Sequence, residues 1–176
     1  MSETPSTMLE LGTFAPAFTL RNAVDGEQVT LEHFRGKRAL CVMFICNHCP
    51  YVVHIQEKMV ELIKRYQQKG LAFIAISSNN INAYPDDAPV KMKALAEKYH
   101  YSHPYLYDES QEIAKAYDAA CTPDFYVFDS DMLLVYHGRF DSASPGNNEP
   151  VTGKDLSGAL DCLVNGQPIS DVQTPS

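Results

Sequence analysis

The amino-acid sequence predicts an α/β fold: a central mixed sheet flanked by helices and extended at its N-terminal end by a β-hairpin. Two continuous apolar runs, residues 40–45 and 71–76, have the length and composition of strands buried on both faces. Between them, Val52, Ile55, Met59, Leu62, Ile63 and Tyr66 recur mostly at threes and fours, the spacing of one helix face. Strand, helix and strand make a βαβ unit with a right-handed crossover, so part of the sheet is parallel. Two pairs of short apolar segments, around Asp25-Gly26 and Asp129-Ser130-Asp131, carry turn signals and read as antiparallel hairpins.

In chain order, residues 12–20 alternate loosely around Pro16, as expected of an edge strand, and Val29-Thr30-Leu31 is the returning strand of the first hairpin. The helix after the first apolar run takes Pro50 in its first turn, where a missing N–H does little harm, and stops at Gly70. A polar loop follows the second run through Ser77-Ser78-Asn79-Asn80 and Tyr84-Pro85-Asp86-Asp87. Pro89 then opens a helix striped by Met92, Leu95, Ala96 and Tyr99. Tyr105-Leu106-Tyr107 is a short strand, and Asp108 or Ser110 caps a helix carrying Ile113, Ala114 and Tyr117. Residues 125–128 and 132–136 form the second hairpin. The segment 141–150 is rich in turn residues, either a specificity loop or a surface connection. Thr152 and Asp155 resemble a capping box at the start of a last helix that buries Leu156, Leu160, Leu163 and Val164. Without repeats or linkers, residues 12–170 form one domain, with 1–11 disordered or extended and 171–176 a tail.

The chemistry is concentrated where the first apolar run meets the helix, in Cys46-Asn47-His48-Cys49-Pro50. A strand running into a helix is expected to leave Cys46 near the helix N-terminus, where free N–H groups and the macrodipole favour an anion. The thiolate is that anion, and it is the nucleophile. Cys49, one turn on, can close a disulfide. His48, when protonated, favours the thiolate and makes the disulfide more oxidising, with a potential above that of thioredoxin.

The remaining residues exclude other classes. A net charge of −8 without a basic run argues against nucleic acid as partner. The first ten residues carry no Lys or Arg and no apolar core, and the apolar runs are of strand length. No secretory signal or membrane span is expected, and the expected location is cytoplasmic. There a C-x-x-C beside a strand–helix pattern reads as redox or metal chemistry rather than as a structural bridge. Five cysteines leave at least one thiol without an intramolecular partner. Cys41 and Cys162 read as packing residues, and Cys121 is either a small buried hydrophobe or a third redox thiol. His33, His54, His100, His103 and His137 show no ligand spacing and read as surface or satisfied side chains.

A strand leading into C-x-x-C on a helix, then a parallel strand, Thr122-Pro123, an antiparallel hairpin and a closing helix together resemble a thioredoxin-like fold. The opening Gly12, Ala15-Pro16-Ala17-Phe18-Thr19-Leu20, Gly26, Leu31, Phe34, Gly36 and Lys37 resemble the alkyl hydroperoxide reductase and thiol-specific antioxidant (peroxiredoxin-like) branch. The resemblance implies a redox-active Cys46/Cys49 pair, a cis proline at Pro123 facing it, and backbone near Pro123 that receives an extended substrate. It also brings Cys121, Thr122 and Arg139 toward the dithiol, with Gly138 in a bordering loop. The chain departs from thioredoxins at Ile45, where they carry Trp, and at Leu40, where they carry a buried Asp. Similar chains continue past Thr174-Pro175-Ser176 with a tail bearing another cysteine.

The activity implied is thiol–disulfide exchange on a protein or small-molecule substrate, with Cys46 attacking and Cys49 resolving, and with no cofactor, metal or membrane partner. The alternative is an antioxidant thiol peroxidase acting on a hydroperoxide, in which Cys49 is the peroxidatic residue. Peroxiredoxins hold that thiolate with an arginine near the position of Cys121-Thr122; no arginine occurs there, and Arg139 is either a substitute for it or a surface or salt-bridging residue. A third reading is a Cu or Zn carrier using Cys46, Cys49 and His137.

Overall fold

The computed structural model describes residues 4–176. Seven strands form one sheet in the order β2-β1-β5-β4-β3-β6-β7. They span Thr19–Asn22 (β1), Gln28–Thr30 (β2), Ala39–Phe44 (β3), Ala72–Ser77 (β4), Tyr105–Tyr107 (β5), Asp124–Asp129 (β6) and Leu134–Gly138 (β7). The parallel centre is β3–β4–β5, and β6, β7, β1 and β2 join antiparallel. The N-terminal hairpin extends the sheet at β5, as the sequence predicted.

β3 shows why continuous apolar runs were required. Ala39, Cys41 and Met43 face a core with helix α1 (Pro50–Gln67), α2 (Pro89–Lys98) and α4 (Lys154–Val164), while Leu40, Val42 and Phe44 face a second core with Phe18, Tyr117 and Tyr126. A central strand covered on both sides has no polar face to offer. The α1 stripe is fully buried, including Met59, Ile63 and Tyr66. Tyr117, which follows the short α3 (Glu112–Ala116), packs against Phe44 and Tyr126 on the opposite face.

Several local expectations are corrected. Residues 12–18 are not a strand: Phe14 makes one bridge to Leu133, and Pro16 has no N–H with which to extend a ladder. Leu31 leaves the returning strand and opens a 3₁₀ turn over Leu31–Phe34. Thr152 and Asp155 do not form a capping box. The N-cap of α4 is Gly153 at φ +70°, where a Cβ would stand 2.7 Å from Phe140. Asp141 Oδ2 instead accepts the N–H groups of Thr152 and Gly153, both at 2.7 Å. The N-cap of α3 is Gln111 at φ +64°, rather than Asp108 or Ser110, although Asp108 accepts Ala114 N–H in its first turn at 2.9 Å. His103 is neither surface nor satisfied. It is buried with both ring nitrogens unpaired and stacked on Tyr101, and burial pushes its pKa down to about 3, so the ring is neutral. The expectation for residues 1–3 lies outside the described residues.

The tail is not free. Thr174 C=O accepts Arg139 N–H at 3.0 Å, and Gln173 Oε1 accepts His137 N–H at 2.8 Å, so these residues run along the outer edge of β7. Gly138 permits this approach, since a Cβ there would lie 2.7 Å from Thr174 O. Among the described residues no helix is long and apolar enough to cross a membrane.

Candidate active site

The carboxyl end of β3 delivers Ile45 and Cys46 to a bend, and α1 begins at Pro50. Cys49, not Cys46, is the N-cap of α1, which corrects the expected placement. The reason is local: Pro50 needs no N–H partner and so occupies the first helical position, and the residue before it is held extended at ψ 121°. The free N–H groups of the first turn therefore serve Cys49.

All five cysteines are free thiols, and Cys46 and Cys49 share a hydrogen bond. The two sulfurs are driven apart in acidity. Cys49 is held down to about 5, first by the hydrogen bond from Cys46, then by the Thr122 side chain and the Val52 and Tyr51 N–H groups, against an opposing cost of burial. Cys46 is pushed up, first by donating a hydrogen bond to Cys49, then by burial and by the nearby Asp87 carboxylate. Thr122 spans the pair: Oγ1 is 3.7 Å from Cys46 Sγ, and its carbonyl is 3.5 Å from Cys49 Sγ. The carbonyl suits a protonated Cys49, and the other contacts suit the thiolate. The bond between Thr122 and Pro123 is cis.

Cys49 also lines a pocket of about 810 Å³, with Phe44, Tyr51, Cys121 and Pro123. Cys46 has no solvent exposure and does not line it. Asp141 to Ser144 contribute to the wall, so the start of the 141–150 segment is part of the site. Cys121 sits in the same wall, its thiol pushed up to about 12 by burial, then by Asp124 and Cys49. Arg139 lines the pocket, but its Nε donates to Asp155 Oδ2 at 2.6 Å.

His48 is held by the loop after β4. Its Nδ1 is 2.5 Å from Asp87 Oδ2, its ring stacks on Tyr84, and it is not among the groups that lower Cys49. Asp87 is the residue that sequence reasoning missed. It is wholly buried, and its oxygens accept from Asn47 N–H (2.8 Å), His48 N–H (3.2 Å) and Asn79 Nδ2 (2.9 Å) as well as the His48 ring. A signal existed, since Asp87 follows β4, and loops at the carboxyl ends of parallel strands converge on ligands.

His137 does not join the dithiol. Its Nδ1 accepts Leu9 N–H at 3.0 Å, so Nε2–H donates to Asp124 at 3.0 Å, and neither nitrogen is left for a metal. Cys46, His48 and Asp87 each offer a donor atom within 4.8 Å of the others, but four hydrogen bonds already occupy the Asp87 oxygens. The donor set therefore fits a structural carboxylate better than a metal ligand.

A family model for AhpC/TSA matches residues 11–137. The chain belongs to the AhpC/TSA family. A crystal structure of an uncharacterized conserved protein from Geobacillus kaustophilus is 50% identical, with a TM-score of 0.97 over 100% of this chain and 93% of that one. The thioredoxin domain of a thiol-disulfide oxidoreductase from Bacteroides vulgatus (16% identity, TM-score 0.65, 87% and 99% covered) has the same fold. So does a peroxidoxin, BcpB, from Mycobacterium tuberculosis (16%, 0.65, 89% and 97%). A search of curated proteins finds no match. The fold is thioredoxin-like, and the family supports a thiol redox function.

Proposed function

We propose that this chain is a thiol–disulfide oxidoreductase in which Cys49 forms the mixed disulfide and Cys46 resolves it. The observation that carries this reading is that Cys49, the N-cap of α1, lines the pocket, whereas Cys46, equally buried, does not. The order is the reverse of that expected from the motif alone.

In the first step the Cys49 thiolate attacks one sulfur of a substrate disulfide, forming a Cys49–substrate disulfide and expelling one substrate thiolate. Cys46, deprotonated, then attacks Cys49 sulfur. The Cys46–Cys49 disulfide forms, the second substrate thiolate leaves, and the protein dithiol has been oxidised as the substrate disulfide was reduced. The pocket lies in the size range of small-ligand sites, which favours a small-molecule disulfide or the tip of a peptide. The proposed location is cytoplasmic, where such a pair is kept available for turnover.

Differential alkylation and mass spectrometry test the order. After exposure to oxidised glutathione, Cys46→Ser is expected to accumulate glutathione on Cys49, and Cys49→Ser to accumulate none on Cys46. Glutathione found on Cys46 alone would return the attacking role to that residue.

The position of Cys49 also favours a second reading, reduction of a hydroperoxide with Cys49 oxidised to sulfenic acid and Cys46 condensing with it. A sulfenic acid trapped at Cys49 in Cys46→Ser within seconds of stoichiometric peroxide supports it. Slow oxidation by peroxide beside fast exchange with glutathione eliminates it.

A further inference from the structure

The two residues between the cysteines are held by a carboxylate from another part of the chain. Asp87, in the 3₁₀ turn Pro85–Asp87, takes Asn47 N–H and His48 N–H on Oδ1, and His48 Nδ1 and Asn79 Nδ2 on Oδ2. Since both oxygens accept, Nδ1 of His48 carries the hydrogen, and the lone pair of the neutral ring lies on Nε2. That nitrogen is buried and has no hydrogen-bond partner. Tyr84 fixes the ring plane, stacked at 4.7 Å and 9°. Cys46 Sγ, a His48 ring nitrogen and an Asp87 oxygen lie within 4.8 Å of one another.

The order of attack creates a need for a base here. In the dithiol, Cys46 hands its proton toward Cys49. Once Cys49 is bonded to substrate it carries no charge and cannot hold that proton, yet Cys46 must lose it to attack. Cys46 has no solvent exposure, so bulk water is not at hand. Resting geometry longer than a hydrogen bond is common for such pairs, which tighten as the reacting complex forms. We propose that His48, oriented by Asp87, is the base that takes the Cys46 proton as Cys46 resolves the mixed disulfide on Cys49. The S–H bond of Cys46 breaks, its electron pair forms the bond to Cys49 sulfur, and the imidazolium returns the proton to the departing thiolate. His48 is then catalytic and Asp87 a positioning residue.

This proposal rests on the order of attack given above, and Ellman's reagent separates the two. In a Cys121→Ser/Cys162→Ser background, with Cys41 buried in the core, each reduced molecule releases two coloured thiolates, the first when Cys49 attacks and the second when Cys46 resolves. In that background the second phase is expected to slow as falling pH protonates its base. The groups facing His48 are Asp87 and Tyr84 from the loop after β4, Cys46 and Cys49 on its own segment, and, through Asn47, Tyr105 from β5. Among these Cys49 is the thiol whose pKa is lowered, and it is consumed in the first phase.

His48→Gln is expected to slow the second phase by about a hundredfold relative to the first, the size of a general-base contribution, and to abolish its pH step. Asp87→Asn is expected to slow it less and to shift the step. If Asp87→Asn does not fold, His48→Gln still decides, because its ring is partly exposed and its loss leaves the core intact. A second phase in His48→Gln with unchanged rate, or slowed equally at every pH with the step retained, overturns the proposal. A first phase lost in Cys46→Ser and kept in Cys49→Ser overturns the order of attack instead.

Discussion

Arg139 donates to Asp155 from Nε at 2.6 Å and so is tied to the start of α4 although it lines the pocket that holds Cys49. A peroxidatic thiolate needs a cation close by, and none is among the groups that acidify Cys49. Arg139→Met is therefore expected to change the peroxide oxidation rate of Cys49 by less than about twofold, since a partly exposed pair carries little of the site's electrostatics. Its stability cost is expected to be about 0.5–1 kcal/mol, read by chemical denaturation. A tenfold or greater loss of peroxide turnover would give Arg139 the role that its ion pair denies it.

Cys46 is the first cause of the low Cys49 pKa, which yields a direct measurement. Thiolate absorbance near 240 nm in the reduced protein is expected to titrate at about 5 for Cys49. In Cys46→Ala the hydrogen-bond donor is gone, and the titration is expected to move upward. Thr122→Ala, which removes the next side-chain donor, should move it in the same direction by less. A midpoint unmoved in Cys46→Ala would mean that Thr122 and the N–H groups of Tyr51 and Val52 hold the charge without Cys46.

The central strands and α1 were legible because their signals are dense: a strand buried on both faces must be apolar throughout, and α1 repeats its stripe along its length. The two cysteines were legible as a pair, but their order was not. It depends on where α1 begins, and Pro50 moves the first free N–H groups past Cys46 to Cys49. Asp87 was only partly legible: its loop follows β4, where parallel strands end, but forty positions separate it from Asn47 and nothing in Tyr84-Pro85-Asp86-Asp87 marks which carboxylate turns inward. The α4 cap failed for a similar reason: Asp141 reaches back across a loop, while the nearer Asp155 is claimed by Arg139.

The acidity of Cys49 also predicts how stability varies with pH. A thiol whose pKa falls from 9.0 to about 5 on folding contributes stability that is present in full above the unfolded value and is lost as pH falls toward the folded one. Between pH 5 and 8 the melting temperature of the reduced protein is expected to rise with pH relative to that of Cys49→Ser. The other titrating groups are common to both proteins and cancel in the difference. Parallel melting curves across that range would show that the charge on Cys49 is not coupled to folding.

The pair beneath Pro123 offers the last test. Asp124 and His137 have no solvent exposure, and the carboxylate takes His137 Nε2–H at 3.0 Å and Tyr126 O–H at 3.2 Å. Asp124→Ala leaves the His137 donor buried without a partner, at an expected cost of about 1–3 kcal/mol. Asp124→Asn keeps an acceptor oxygen and should cost less. Their common effect is at Cys121, whose thiol is raised first by burial and then by the Asp124 charge. Removing that charge is expected to lower the Cys121 pKa and speed its alkylation at fixed pH, counted by mass spectrometry against Cys162 as an internal reference. Faster alkylation in Asp124→Ala but not in Asp124→Asn would trace the effect to loosened packing, since only the first variant opens a cavity while both remove the charge.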